Sequence, residues 1–138
     1  MAREVTLTRV YHFSAAHELA NPALSRDKNA ALYGACHRPH GHNYYLEVSV
    51  AGVPDAVTGM AVDLAALDER VEALVLDEVD HHKLEEAPAL SGVITTGECL
   101  ARAFWRILAP AVAPAGSLRR VSVVETAKNR FEYRGESE

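Results

Sequence analysis

Cys36-His37-Arg38-Pro39-His40-Gly41-His42-Asn43-Tyr44 places a thiol and three imidazoles within seven residues, immediately before a run that reads as a β-strand. Alternate side chains of an extended chain share a face. His40 and His42 therefore point the same way, about 7 Å apart along the strand, with Gly41 adding no bulk between them. That is a two-point clamp for a metal ion, although the spacing alone fits two solvated loop histidines equally well. The strand runs from about His42 to Gly52, with Leu46, Val48 and Val50 on the parity of the two histidines.

Toward the N-terminus, residues 4–14 alternate as a half-buried strand does, with Val5, Leu7, Tyr11 and Phe13 on one parity and Thr6, Thr8 and His12 on the other. The parity continues to His17, which a hairpin pairing brings near the start of the second strand. His17 is thus the best third ligand. Three neutral imidazoles suit zinc and leave one coordination position open, as catalytic sites do. His12 and His37 are rivals of the wrong strand parity relative to His17 and His40. Residues 18–35 read as a loop, with a turn at Asn21-Pro22 and Ser25 placed to cap one short helical turn.

Downstream, Pro54-Asp55 and Thr58-Gly59 mark turns. Asp63 is a good N-cap for a helix with Leu64, Leu67, Val71, Leu74 and Val75 inward, ending near Val79. After a loop containing Pro88, Thr95-Thr96-Gly97-Glu98 has capping-box spacing from Thr95 to Glu98. The helix that follows turns Leu100, Phe104, Ile107 and Leu108 inward and is stopped by Pro110. Strands are expected at about 118–126 and 130–135. The order β-β-α-α-β-β predicts the α+β class: one domain over residues 1–138, with a four-stranded antiparallel sheet and two helices on one face. The other face and both edges need cover, for which subunit association is a natural answer.

The chain has 138 residues, 49% hydrophobic and 24% charged, as soluble domains do. A net charge of -5 without a basic run argues against non-specific nucleic-acid binding. No apolar stretch approaches the roughly 20 residues that span a bilayer, and the first residues lack the apolar core of a signal peptide. Cys36 and Cys99 form no C-x-x-C pair, so a cytoplasmic protein with reduced thiols is expected.

Cys36 reads either as a small buried hydrophobe or, beside a metal clamp, as a reactive thiolate. Cys99, on an apolar helix, takes the first reading. In Asp80-His81 the carboxylate is placed to orient an imidazole, or the pair is a polar helix C-terminus favoured by the macrodipole. Glu125 lies on an otherwise apolar strand, where a lone carboxylate is costly unless paired. A salt bridge satisfies it, as does a cyclic guanidine-type ligand offering parallel N–H donors.

Phe13-Ser14-Ala15-Ala16-His17, Asn21-Pro22 with Leu24-Ser25, Cys36 with His40-Gly41-His42-Asn43-Tyr44, Thr58-Gly59-Met60, Asp80-His81, Thr95-Thr96 with Glu98, and Val124-Glu125-Thr126 occur in one order. From about residue 5 to residue 135 this set resembles the 6-pyruvoyltetrahydropterin synthase / 6-carboxytetrahydropterin synthase family. The resemblance implies a tunnelling (T-) fold whose subunits join into trimeric β-barrels, two of which stack as a hexamer with active sites between subunits. It implies Zn²⁺ on His17, His40 and His42, and 7,8-dihydroneopterin triphosphate as substrate. Cys36, Asp80 and His81 would be the catalytic, proton-transferring residues, while Glu125, with Thr95 and Thr96, would bind the pterin. Arg9, Lys28 and Arg38 are available cations for the phosphates.

The Cys36-x-x-x-His40 spacing looks like the carboxy branch, which cleaves the side chain, releases acetaldehyde and leads to queuosine. The loop from Asn21 to Gly34 looks more like the pyruvoyl branch of tetrahydrobiopterin synthesis. The expectation leans to a 6-carboxytetrahydropterin synthase, with 6-pyruvoyltetrahydropterin synthase as the alternative. A non-catalytic zinc- and pterin-binding module is the reading from another class.

Overall fold

The computed structural model describes residues 3–135. β1 (Val5–His17) pairs antiparallel with β2 (His40–Gly52) along its whole length. The connection carries α1 (Arg26–Tyr33), capped by the Ser25 hydroxyl, which accepts from the Lys28 N–H, and a 3₁₀ turn over Gly34–His37. α1 is an eight-residue helix where sequence reading expects one turn. Asn29 explains the extension: it is buried, accepts from the Asn21 N–H and donates to the carbonyls of Asn21 and Leu24.

α2 (Leu64–Val71) begins at Asp63, whose carboxylate accepts from the Ala66 N–H. It continues through a π-helical turn, Glu72–Leu76, into α3 (Asp77–Val79). Leu67, Val71, Val75 and Val79 are all buried. Steps of four residues run ahead of the α-helical repeat of about 3.6, and the wider π turn takes up that drift.

The second long helix, α4 (Gly97–Val112), corrects two expectations. Its N-cap is Thr96, which accepts from the Cys99 N–H, rather than Thr95; such a cap contributes about 1 kcal/mol. Thr95-x-x-Glu98 and Thr96-x-x-Cys99 are one residue apart, and the geometry selects the second. Pro110 lies inside the helix instead of stopping it. Arg70 donates to the Ala111 carbonyl at 2.8 Å, satisfying one of the terminal acceptors. Gly97 lets the first turn approach the sheet, because a Cβ there would meet the Phe131 ring at 2.0 Å.

β4 (Ser117–Thr126) and β5 (Asn129–Tyr133) complete an antiparallel hairpin. The sheet has five strands, not four: β3 (His82–Lys83) adds a parallel edge beside Ala15 and Ala16, giving the order β3-β1-β2-β4-β5. Two residues carry no readable alternation, so β3 leaves no sequence signal. The core lies between the sheet and the helices. Phe13 stacks on Tyr44 with ring centroids 4.7 Å apart and meets Phe104 edge-on at 6.1 Å. All three rings are fully buried, an arrangement aromatic quadrupoles favour.

Candidate metal centre and active site

The β1–β2 register sets His17 opposite His40 and Ala15 opposite His42. Directly opposed residues share a face, so all three histidines project together. One ring nitrogen from each lies within 4.8 Å of the others. Ring centroids are 4.5 Å apart for His17 and His40, 5.2 Å for His17 and His42, and 4.9 Å for His40 and His42.

Hydrogen bonds set two of the rings. His17 Nδ1 lies 3.0 Å from the Thr95 carbonyl and 3.2 Å from its Oγ1. His40 Nδ1 lies 2.6 Å from the Arg38 carbonyl. A carbonyl only accepts, so each Nδ1 carries the proton and each Nε2 is left unprotonated. Burial holds His17 below the ordinary imidazole range, reinforced by His40. Burial also lowers His42, against an opposing pull from Glu125. Neutral imidazole is the form that binds metal, so the donor set fits an ion. Among the described residues Cys36 is not within that grouping; three nitrogens are one fewer than the four protein ligands that close a structural zinc site.

Cys36 and Glu125 nevertheless line the same hollow as the triad, a cavity of about 300 Å³ that also includes Leu19 and Ala35. Glu125 reaches it through a register change. Val124 pairs with Arg130 and Thr126 with Asn129, leaving Glu125 as the extra residue of a β-bulge, a device that re-aims a side chain. No salt bridge takes up its carboxylate among the described residues.

Asp80 and His81 lie elsewhere. His81 helps line a second hollow of about 500 Å³ with Ser14, Asn43 and Lys83, which touches the first only through His42. The Asp80 carboxylate accepts from the Ser14 N–H at 2.9 Å and lies 3.0 Å from His81 Nδ1. The Ser14 bond, then the His81 bond, hold it below the usual carboxylate range against partial desolvation. His81 has φ +61°, a strained value for a residue with a Cβ. Its side chain is 81% exposed.

The remaining candidates have other positions. Thr95 is buried behind His17 and Thr96 caps α4; neither lines the triad's hollow. His37 Nδ1 donates to the Leu19 carbonyl, and His12 packs edge-on against Tyr45, so neither rival joins the triad. Arg9 is engaged by Asp68. Tyr44, fully buried with its hydroxyl 3.4 Å from His17 Nε2, was read only as part of the His40–Tyr44 motif and given no role, although it shares the parity of His40 and His42. Glu85, bonded to Thr95, escaped sequence reasoning, with no local pattern to mark it.

Comparison with known proteins adds to this geometry. The family model described as 6-pyruvoyl tetrahydropterin synthase matches residues 6–136. The chain belongs to the 6-pyruvoyl tetrahydropterin synthase family. That membership makes it an enzyme of pterin chemistry. A family member from Dictyostelium discoideum, a 6-pyruvoyl tetrahydrobiopterin synthase, is 40% identical over 137 residues, covering 99% of this chain and 100% of its own. The structure of the 6-pyruvoyl tetrahydropterin synthase of Caenorhabditis elegans superposes with a TM-score of 0.89 at 36% identity, covering 98% of each chain. A 6-carboxy-5,6,7,8-tetrahydropterin synthase of Synechocystis is 29% identical over 127 residues, covering 89% of this chain and 88% of its own.

Proposed function

We propose that this chain converts 7,8-dihydroneopterin triphosphate to 6-pyruvoyltetrahydropterin, eliminating triphosphate and keeping the three-carbon side chain. The observation that carries the reading is the single hollow in which three imidazoles, two of them preset by hydrogen bonds, meet the Cys36 thiol and a Glu125 carboxylate that forms no salt bridge among the described residues. The higher identity to a pyruvoyl relative, 40% against 29% for the carboxy relative, reverses the lean drawn from the Cys36-x-x-x-His40 spacing.

In this reading His17, His40 and His42 would hold Zn²⁺ through their unprotonated nitrogens. Bound there, the ion supplies Lewis acidity to the side-chain oxygens of the substrate and favours the negative charge that develops as adjacent C–H bonds lose protons. Glu125 accepts two parallel N–H donors from the guanidine-like edge of the pterin, a bidentate match that fixes its orientation. Cys36 takes a proton from the side chain as a base. The Asp80 carboxylate receives His81 Nδ1–H, leaving Nε2 to accept or return a proton.

Cys36 and His81 share no hollow within one chain, so the His81 that serves a given triad is assigned to a neighbouring subunit. The sheet is suited to such an assembly. Its face away from the helices exposes Val10 and Tyr45, and its edges end in the two-residue β3 and in β5. Closure of such sheets into a T-fold barrel, with a hexamer of two stacked trimers, completes the proposal. No helix among the described residues is long and apolar enough to cross a membrane.

The test is product identification after incubating the purified protein with Zn²⁺ and 7,8-dihydroneopterin triphosphate. Triphosphate release with a three-carbon pterin product supports the reading. Acetaldehyde with a carboxylated pterin would select the carboxy branch. No triphosphate release would leave a zinc- and pterin-binding module.

A further inference from the structure

Behind His17 runs a chain of hydrogen bonds that ends on a carboxylate with no role in the reaction above. The Thr95 hydroxyl lies 2.7 Å from Glu85 Oε2 and 3.2 Å from His17 Nδ1. The other Glu85 oxygen accepts from the Glu18 N–H at 2.9 Å. Glu18 is in turn paired with Lys83. Glu85 therefore joins three segments: the residue following β1, the turn after β3, and the residue before the N-cap of α4.

We propose that Glu85 is a positioning residue for the metal centre, acting through the Thr95 hydroxyl to fix the tautomer and orientation of His17. The argument is one of donor counting. Thr95 Oγ1 has a single proton. That proton is donated to Glu85 Oε2, so the hydroxyl presents lone pairs to His17. The Thr95 carbonyl already presents acceptors to the same nitrogen at 3.0 Å. Nδ1 thus faces two acceptors, carries the proton itself, and leaves Nε2 as the lone pair that a metal would take. Partners that hydrogen-bond a ligating histidine in this way orient the ring and raise its strength as a donor.

The position of Thr95 makes the relay available. Because Thr96 caps α4, the preceding hydroxyl is free to turn inward, where Thr95 is 1% exposed. Without Glu85, the hydroxyl proton can rotate toward His17 Nδ1, where it opposes the Nδ1–H held by the Thr95 carbonyl and weakens the preference for the tautomer whose Nε2 can ligate. Glu85→Gln removes one of the two acceptors, so the Glu18 N–H and the Thr95 hydroxyl compete for the one that remains.

The inference rests on the reading of the triad as a metal centre, and the experiment separates the two. Apo-protein is titrated with Co²⁺ against a competing chelator, following the visible ligand-field spectrum, for the wild type, Glu85→Gln and Glu85→Asp. Thermal unfolding of each apo form is measured alongside. Wild type is expected to bind one Co²⁺ per chain. Glu85→Gln should bind about tenfold more weakly with an unchanged apo unfolding temperature, and Glu85→Asp should recover part of the loss. A wild type that binds no metal would overturn the metal centre and the relay together. Wild-type binding with equal affinity in Glu85→Gln would overturn the relay alone, as would a Gln loss matched by a fall in apo stability.

Discussion

The triad hollow and the Asp80-His81 corner lie on either side of His42, yet they are finished to different degrees. At the triad, one chain brings all three imidazoles together, buries His17, places carbonyl acceptors on two Nδ1 atoms and adds Cys36 and Glu125. At the corner, the same chain fixes the Asp80 carboxylate firmly, then leaves His81 exposed on a strained backbone with its second nitrogen free. Ligand geometry must be set to fractions of an ångström before an ion binds, which suits residues held by one β-ladder. A proton-transfer group need only arrive within hydrogen-bond reach of the substrate, and a neighbouring subunit can deliver it.

Breaking the triad should have the largest effect. His42→Ala removes a ligand from a three-nitrogen set, and metal affinity should fall by more than about a hundredfold, beyond the range for removing a group that only supports a ligand. Equilibrium dialysis with metal analysis reads this directly, and turnover should vanish with the metal. Cys36→Ala separates chemistry from binding in the same hollow. It should keep full metal content while turnover falls by about 10²–10⁴; unchanged turnover would remove the thiol from the mechanism.

At the corner the expected effects are smaller. Asp80→Asn keeps the shape and loses the charge that orients His81, so turnover should fall about tenfold with metal content unchanged. Loss of metal in that variant would mean the two regions are not separable. The smallest effect belongs to a site outside both. Hydrogen bonds from Arg9, then Tyr11, hold Asp68 below the usual carboxylate range. A depressed carboxylate stabilises the fold above its unfolded value and loses that contribution as pH falls through the folded one. The wild type should therefore lose stability below about pH 4 more steeply than Asp68→Asn, in denaturation midpoints measured across the acid range.

The same contrast governs what could be read from the sequence. His17, His40 and His42 were legible because strand parity is strictly alternating, and the hairpin register followed from it. Glu125 stood out as a carboxylate on an apolar strand, although the bulge that aims it is invisible until β4 and β5 are paired. Asp80-His81 carried two readings because a helix C-terminus and a catalytic pair use the same residues. The cap of α4 was displaced by one residue since adjacent threonines offer the same chemistry, and that displacement hid the role of Thr95. Glu85 acts from ten residues away along the chain, through a hydroxyl, a link that no local periodicity encodes.

Mixing Cys36→Ala with His81→Ala tests most directly the claim that one chain completes the metal centre while its neighbour supplies the proton-transfer pair. Each variant alone should be metal-loaded and nearly inactive. Dissociated and reassembled together, they should regain triphosphate release, because some interfaces then join an intact Cys36 to an intact His81. Mixed assemblies as inactive as either parent would contradict the shared site.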